Sequence, residues 1–285
     1  MNNRPNFFIL GAPRCGTSSL AYWLSTHPNI FMPPIKEPHY FSKDLANRTI
    51  RTMSRYESLF AEVEEHHMVV GEASTWYLYS REAVRNIEES CSGSLYIVMS
   101  RDPVEMAYSL YHHNVSVLYE DQSSFESAWR LQEDRAAGKK IPRSCVEPAF
   151  LQYRKACALG SMIERVFNLV PPERVFHVPL DAVVLNPSRE YERVLQFLGV
   201  PSDQRDEFPV INEAQIYKSR VLQRWLKFGE KMRVRLGINR GIGLTGLNLT
   251  RRPRDEIPPA FADELNLVFE EERSRLLRIS EWANH

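Results

Sequence analysis

The stretch Phe7-Phe8-Ile9-Leu10-Gly11-Ala12-Pro13-Arg14-Cys15-Gly16-Thr17-Ser18-Ser19-Leu20 decides how the rest of the chain is read. Phe7 to Leu10 is an apolar run of strand length. Gly11 and Gly16 bracket a short loop, and Leu20, Trp23 and Leu24 then recur at helical spacing. A strand, a tight glycine loop and a hydroxyl-rich helix start make a cradle for an anion, because loop N–H groups and the positive end of the helix dipole converge on one point. The glycines have the G-x-x-x-x-G spacing of a nucleotide-phosphate loop. The next residue, however, is Thr17 and not the Lys that reaches a β- or γ-phosphate. A cation stands inside the loop instead, at Arg14. The pattern points to an anion smaller than a nucleoside triphosphate. The competing reading is an ordinary strand–turn–helix corner.

Outward from this stretch, strands and helices alternate. Asn29–Met32, Met68–Glu72, Leu95–Met99 and Arg174–Val178 read as further strands. The run at Leu95 is continuously apolar, as in sheets buried on both faces. Helices are expected over 55–65, 81–89, from Pro103 through Tyr111, over 125–136, 149–169 and 187–198 with Gly199 as its cap, and from Pro259 to Ile279. His27-Pro28 ends the first helix. Gly237–Gly246 and Thr250-Arg251-Arg252-Pro253-Arg254 read as loop. The alternation argues for an α/β fold, a central, mainly parallel sheet flanked by helices. With neither an internal repeat nor a low-complexity linker, residues 1–285 are read as a single domain.

Composition sets bounds. Hydrophobic residues make up 43% of the 285 positions, enough for a sizeable core, and 36 basic residues balance 36 acidic ones. The zero formal charge removes the usual electrostatic case for nucleic-acid binding. No stretch approaches the ~20 apolar residues that span a bilayer, and Met1–Pro5 runs into the first strand without a signal-peptide core. Cys15, Cys91, Cys145 and Cys157 show neither a CxxC pair nor metal-site spacing, so a cytoplasmic setting with reduced thiols fits. Cys15 reads as a buried thiol rather than a reactive one, since its neighbours offer no base.

Ligands of open α/β sheets bind at the carboxyl ends of the strands. Three stretches fall there. The first is the Arg14 loop. The second is Ser100-Arg101-Asp102-Pro103 with Ser109 on the following helix, where Arg101 brings a fork of donors suited to a phosphate, or else caps the helix as an Arg–Asp pair. The third is Lys36-Glu37-Pro38-His39, where a carboxylate beside a cation and an imidazole makes a tuned base, or simply a solvated charged loop.

Together these stretches resemble the sulfotransferases that use 3′-phosphoadenosine 5′-phosphosulfate (PAPS), most closely the heparan-sulfate-type enzymes and their bacterial relatives. Gly11 to Leu20 is similar to that family's 5′-phosphosulfate loop, and Arg101 through Ser109 to its 3′-phosphate motif. Lys36-Glu37-Pro38-His39-Tyr40-Phe41 is similar to the loop that carries its catalytic Glu. Leu180-Asp181, Phe197-Leu198-Gly199 and Ile279-Ser280-Glu281-Trp282 also fit. The resemblance implies a P-loop-like sulfotransferase fold and sulfuryl transfer from PAPS to the hydroxyl, or amine, of a small molecule such as a secondary metabolite, a lipid or a saccharide. The by-product would be 3′,5′-adenosine bisphosphate (PAP). It implies Glu37 as general base and Arg14 as electrostatic stabiliser. The N–H groups of Cys15, Gly16, Thr17 and Ser18, with the Thr17 and Ser18 hydroxyls, would hold the 5′-phosphate. Arg101 and Ser109 would hold the 3′-phosphate, with Arg251 or Arg252 closing over it. No metal is required, because a sulfuryl group carries less charge than a γ-phosphoryl.

His39 is a second candidate catalytic group, as base or acceptor-positioning residue, with a structural hydrogen-bonding role as its alternative. His112 and His113 read as helix-face residues. Trp76, Tyr77, Tyr79 and Trp129 could line an acceptor pocket, though aromatics are more often core. Two departures from the family pattern matter. Arg14 stands where heparan-sulfate members have Lys, and cannot donate a proton. Ala73 follows Gly71-Glu72 where those members have Lys, which argues against a heparan-like acceptor, while the aromatic content of the middle region favours a compact, partly apolar one. Two rival functions are a kinase using Mg-ATP, against which the missing Lys speaks, and a non-catalytic nucleotide-binding protein of the same fold.

Overall fold

Five apolar runs become the strands of one parallel sheet in the computed structural model, which describes residues 4–211, 215–217, 249–251 and 257–282. The strands are β1 (Phe7–Gly11), β2 (Ile30–Phe31), β3 (Val69–Ala73), β4 (Leu95–Ser100) and β5 (Val175–Pro179), in the order β2-β3-β1-β4-β5. All four pairings are parallel. The run that opens the chain is therefore the middle of the sheet. Phe7, Phe8, Ile9 and Leu10 are fully buried, as expected of a strand covered by helices on both faces. Phe7 sits opposite Gly71 in the register, and only a glycine fits there: a Cβ at position 71 would lie 2.1 Å from the Phe7 ring.

The covering helices begin with α1 (Thr17–Ser25), α2 (Met53–Glu57), α3 (Ala83–Ser90) and α4 (Pro103–Ser116). They continue with α5 (Phe125–Arg130), α6 (Gln132–Ala136), α7 (Tyr153–Ala156), α8 (Leu159–Phe167), α9 (Leu180–Leu185), α10 (Pro187–Leu198) and α11 (Pro259–Trp282). Local chemistry explains several ends. Asp102 caps α4 by accepting from the N–H groups of Val104 and Glu105, with Pro103 in the first turn. Asn186 caps α10, and Gly199 closes it in the left-handed conformation at φ 67°.

Three expected helices differ. The helix expected over 55–65 is α2 plus a 3-10 turn that stops at Phe60, short of the acidic run Glu62, Glu64 and Glu65, whose charges oppose the negative helix end. The span 125–136 breaks at Leu131 into α5 and α6, and Arg135 on α6 turns inward to Glu120. The span 149–169 divides into a 3-10 turn (Pro148–Leu151), α7 and α8. Helix bonding is diverted there: the Phe150 carbonyl accepts from Asn114 Nδ2, and the Arg154 N–H donates to Gln132 Oε1. Part of the expected loop at 250–254 is also strand. Leu249–Arg251 is β7, antiparallel to β6 (Gln215–Tyr217), and β6 packs beside α4. Arg252 and Gly237–Gly246 lie outside the described residues. No helix among the described residues is long and apolar enough to cross a membrane. All four cysteines carry free thiols.

Candidate functional site

The anion loop hangs from the sheet on both sides. Ala12 N–H donates to the Met99 carbonyl of β4, and the Leu10 carbonyl accepts from Leu78 N–H beyond β3, both at 2.8 Å. Gly16 then turns into α1 at φ 87°. A Cβ there would also meet Leu180 at 2.8 Å, so the turn and the close approach both call for glycine. No side chain caps α1. Its first turn is thus available to an outside acceptor, although the Cys15 N–H is turned inward onto the Ala12 carbonyl at 3.3 Å. The Cys15 thiol is fully buried and burial pushes it up to about 12, consistent with an inert thiol.

Arg14, with φ 67°, directs its guanidinium along the cleft and donates from Nε to Ser109 Oγ at 3.1 Å. The two residues assigned from sequence to different phosphates are thus neighbours. Burial, and next the nearby Arg101 charge, work against the Arg14 cation. A bound anion would relieve both. The cation missing from position 17 arrives from another loop. Lys36 Nζ donates to Ser18 Oγ at the start of α1 (3.0 Å) and to Glu37 Oε1 (2.9 Å). Lys36 belongs to the Lys36-Glu37-Pro38-His39 motif, and its place in the site comes from the structure. Its neighbour Glu37 was the available signal.

Glu37 is held at the end of β3. Its N–H donates to the Ala73 carbonyl (3.0 Å), Thr75 Oγ1 donates to Oε1 (3.2 Å), and His39 Nε2 lies 3.5 Å from Oε2. Burial alone would push this carboxyl up. Hydrogen bonding from His39 and the charge and hydrogen bond of Lys36 outweigh it and bring the group down to about 2. Glu37 and His39 both adopt left-handed backbone, at φ 59° and 49°, which persists only where surroundings over-determine it. The restraints are visible: Ser74 Oγ accepts from His39 N–H (3.0 Å), Tyr77 OH accepts from Phe41 N–H (3.2 Å), and the Pro38 carbonyl accepts from Thr49 and Ile50.

Behind this loop lies Glu72, fully buried, its Oε2 accepting from Tyr77 OH (2.8 Å) and Tyr56 OH (3.2 Å). Burial pushes its carboxyl up to about 7, against the opposing bonds from Ser74, Tyr77 and Tyr56. An unfolded glutamate titrates near 4.5. The folded chain therefore keeps a proton that the unfolded chain releases between pH 4.5 and 7, and stability falls as pH rises through that window. The loss is about 3 kcal/mol by pH 8. Glu72→Gln is expected to raise the urea midpoint relative to the parent at pH 8 and give no such gain at pH 5. Equal shifts at both pH values would show that Glu72 does not titrate in this way.

Arg101 is at the end of β4 as expected, but its Nε and one terminal nitrogen are bonded to Glu105 Oε2 at 2.9 and 2.7 Å. The Arg–Asp capping alternative is corrected: Asp102 caps α4 and pairs with Arg273, not Arg101. A cavity of about 380 Å³ brings Arg14, Thr17, Ser18, Lys36, Glu37 and Thr75 together. Of the aromatic candidates, Trp76 lines it. Tyr77 is buried beneath the Glu37 loop on Glu72, Tyr79 packs edge-on to Trp76, and Trp129 belongs to the core with Phe125, Phe261 and Phe269. His113, read as a helix-face residue, also lines the cavity. It lies one turn beyond Ser109, on the same face of α4. Arg251 is described by its backbone alone.

A family model described as "Sulfotransferase domain" matches residues 4–224. The chain belongs to the sulfotransferase family. It is 30% identical over 195 residues to the membrane-associated sulfotransferase kil1 of Dictyostelium discoideum, covering 61% of this chain and 39% of that protein. It is 26% identical over 208 residues to the human bifunctional heparan sulfate N-deacetylase/N-sulfotransferase 3, covering 69% of this chain and 22% of that protein. The chain thus spans less than half the length of either relative. A crystal structure of a sulfotransferase from Alicyclobacillus acidocaldarius superposes with a TM-score of 0.65 at 29% identity, over 85% of this chain and 98% of that one.

Proposed function

We propose that this chain moves a sulfuryl group from PAPS to the hydroxyl of a small-molecule acceptor, as a cytoplasmic enzyme of one domain. The observation that carries the reading is the meeting of two separate sequence motifs, the Arg14 loop and the Lys36-Glu37 loop, in one cleft, with Ser109 of the third bonded to Arg14. The uncapped start of α1, the Arg14 guanidinium and the Lys36 ammonium face the Glu37 carboxylate across the span of a few hydrogen bonds. These residues fit the donor's chemistry: a helix start and two cations for a phosphosulfate anhydride, with a base beside them.

When bound, the donor supplies an electrophilic sulfur whose bond to the 5′-phosphate oxygen breaks as the acceptor oxygen attaches. The protein's share is positional and electrostatic. The first N–H groups of α1 with the Thr17 and Ser18 hydroxyls hold the 5′-phosphate, and Arg14 offsets charge growing on the bridging oxygen. Glu37 accepts the acceptor's proton at a carboxylate oxygen, with His39 beside Oε2 to fix that oxygen or share the proton. A carboxylate held near 2 is a weak base, and Lys36 is one reason for its low value. Attraction of Lys36 to the donor's oxygens loosens its hold on Glu37, so basicity rises when donor is in place.

Arg101, with Ser109 and a residue of the 251–252 pair, is assigned to the 3′-phosphate. Arg101→Ala is expected to weaken PAP binding by about 1.5–3 kcal/mol, the range for hydrogen bonds to a charged group. Metal-free calorimetric titration with PAP, AMP and ATP tests the whole reading. PAP alone should bind tightly. Preference for ATP would favour a kinase, and unchanged PAP affinity in Arg101→Ala would remove Arg101 from the site.

A further inference from the structure

Glu72 is a buried acid with no part in the chemistry derived above. It lies on β3, in register with Phe8 of β1, and its Oε1 has no hydrogen-bond partner among the described residues. A carboxyl so placed and only partly satisfied costs free energy that an apolar side chain would not. Its partners all lead to the loop that carries Glu37. Tyr77, bonded to Glu72 Oε2, accepts from Phe41 N–H, and its ring stands edge-on to His39 (6.1 Å, 87°). Tyr56 of α2, bonded to the same oxygen, stacks against Tyr40 (4.6 Å, 19°) and meets Phe41 edge-on (5.1 Å, 77°). The Ser74 hydroxyl, which also bears on the Glu72 carboxyl, accepts from His39 N–H. Three hydroxyls thus stand between one carboxyl and loop residues 39–41.

The titratable groups that act on Glu72 are the two phenols, the Glu37 carboxylate and, from the end of α3, the Cys91 thiol. Burial keeps the phenols and the thiol neutral, and Glu37 is an anion. The loop's own basic groups, Lys36 and His39, are turned to Glu37. A negative charge on Glu72 therefore meets no counter-charge in these groups and is favoured only where water reaches it. The loop lies against both phenols and is the cover that must lift. It is also the strained element, with left-handed backbone at Glu37 and His39, whereas β3 is held by pairing on both sides. By linkage, ionisation of Glu72 and local opening of the loop favour each other.

We infer that Glu72 is a positioning residue for the base: its neutral carboxyl, through Tyr77, Tyr56 and Ser74, holds the Glu37–Phe41 loop in place, and its ionisation loosens that loop. The inference deepens the sulfuryl-transfer reading and rests on it for the role of Glu37. The first test needs no donor. Amide hydrogen exchange of His39 and Phe41 is measured in the full chain at pH 6 and pH 8 and corrected for the intrinsic effect of pH. Protection of both amides should fall about tenfold, the factor for a carboxyl that titrates near 7 when covered and near 4.5 when hydrated. In Glu72→Gln, which cannot ionise, protection should be equal at the two pH values. The second test follows release of PAP from PAPS with water as acceptor, at pH 6. Glu72→Ala should lower kcat by about 10–100-fold, the scale of a displaced catalytic group, with PAP affinity unchanged, and Glu72→Gln should restore most of that loss. Loop amides that exchange no faster than those of β4, or whose protection ignores pH, would overturn the inference. So would a pH dependence that persists in Glu72→Gln, or Glu72→Ala turning over at the parent rate. Failure of the parent chain to bind PAP would overturn the sulfuryl-transfer reading and the role of Glu37 with it, while the donor-free exchange still decides whether Glu72 holds the loop.

Discussion

Glu37→Gln is expected to lower kcat by about 10²–10⁴-fold while leaving PAP affinity unchanged. Gln keeps the size and the acceptor oxygen that meets Lys36 and Thr75, but it cannot take a proton. The loss should therefore appear in turnover and not in donor binding, and single-turnover kinetics beside calorimetry would separate the two. The pH profile adds a second check. With its carboxyl near 2 in the free enzyme, Glu37 is ionised throughout the neutral range, so the kcat/KM profile, which reports the free enzyme, should show no acid limb at 4.5 from this group. A Glu37→Gln protein that turns over at the parent rate would leave the cleft without its proposed base and favour the non-catalytic alternative.

Glu120→Ala is expected to cost about 3–5 kcal/mol of stability, the range for stranding one partner of a buried ion pair. Glu120 and Arg135 both have side chains with 0% exposure and meet through two hydrogen bonds of 2.6 Å. Glu120 also accepts from Tyr153 OH (2.8 Å) and from the N–H groups of Asp121 and Gln122. Its removal leaves a guanidinium in the interior with Asp121, 3.6 Å away and mostly exposed, as partial compensation. That places the expected loss toward the lower end. Urea unfolding would measure it. Replacing both partners, Glu120→Leu with Arg135→Met, should recover much of the loss, because no uncompensated charge then remains. If the single variant lost under 1 kcal/mol, Arg135 would have to reach solvent or another anion.

The parts legible in sequence were those encoded by local pattern. Phe7–Leu10 and Leu95–Met99 are continuous apolar runs and became central strands. The Asp102-Pro103 start and the Gly199 end carry their own capping chemistry. The helices over 125–136 and 149–169 were misread as continuous because their interruptions come from elsewhere in the chain, from Glu120, Asn114 and Gln132. The site followed the same division. Arg14, Glu37 and Arg101 stand in recognisable motifs at strand ends. That Lys36 would reach Ser18 eighteen residues back, or that His113 and Phe150 would share a cavity, depends on how α4 lies against the sheet. No window of sequence contains that information.

The central position of β1 has a consequence for how the site comes into being. Every residue of the anion loop is synthesised within the first twenty, yet the loop is tied to Leu78 on one side and Met99 on the other. Parallel neighbours need long crossovers, and the loop-closure entropy of those crossovers is spent before any contact is gained. A nascent chain that ends before β4 thus carries the complete motif and no cradle. The binding geometry is a late product of folding, appearing only when strands separated by ninety residues close on the first one.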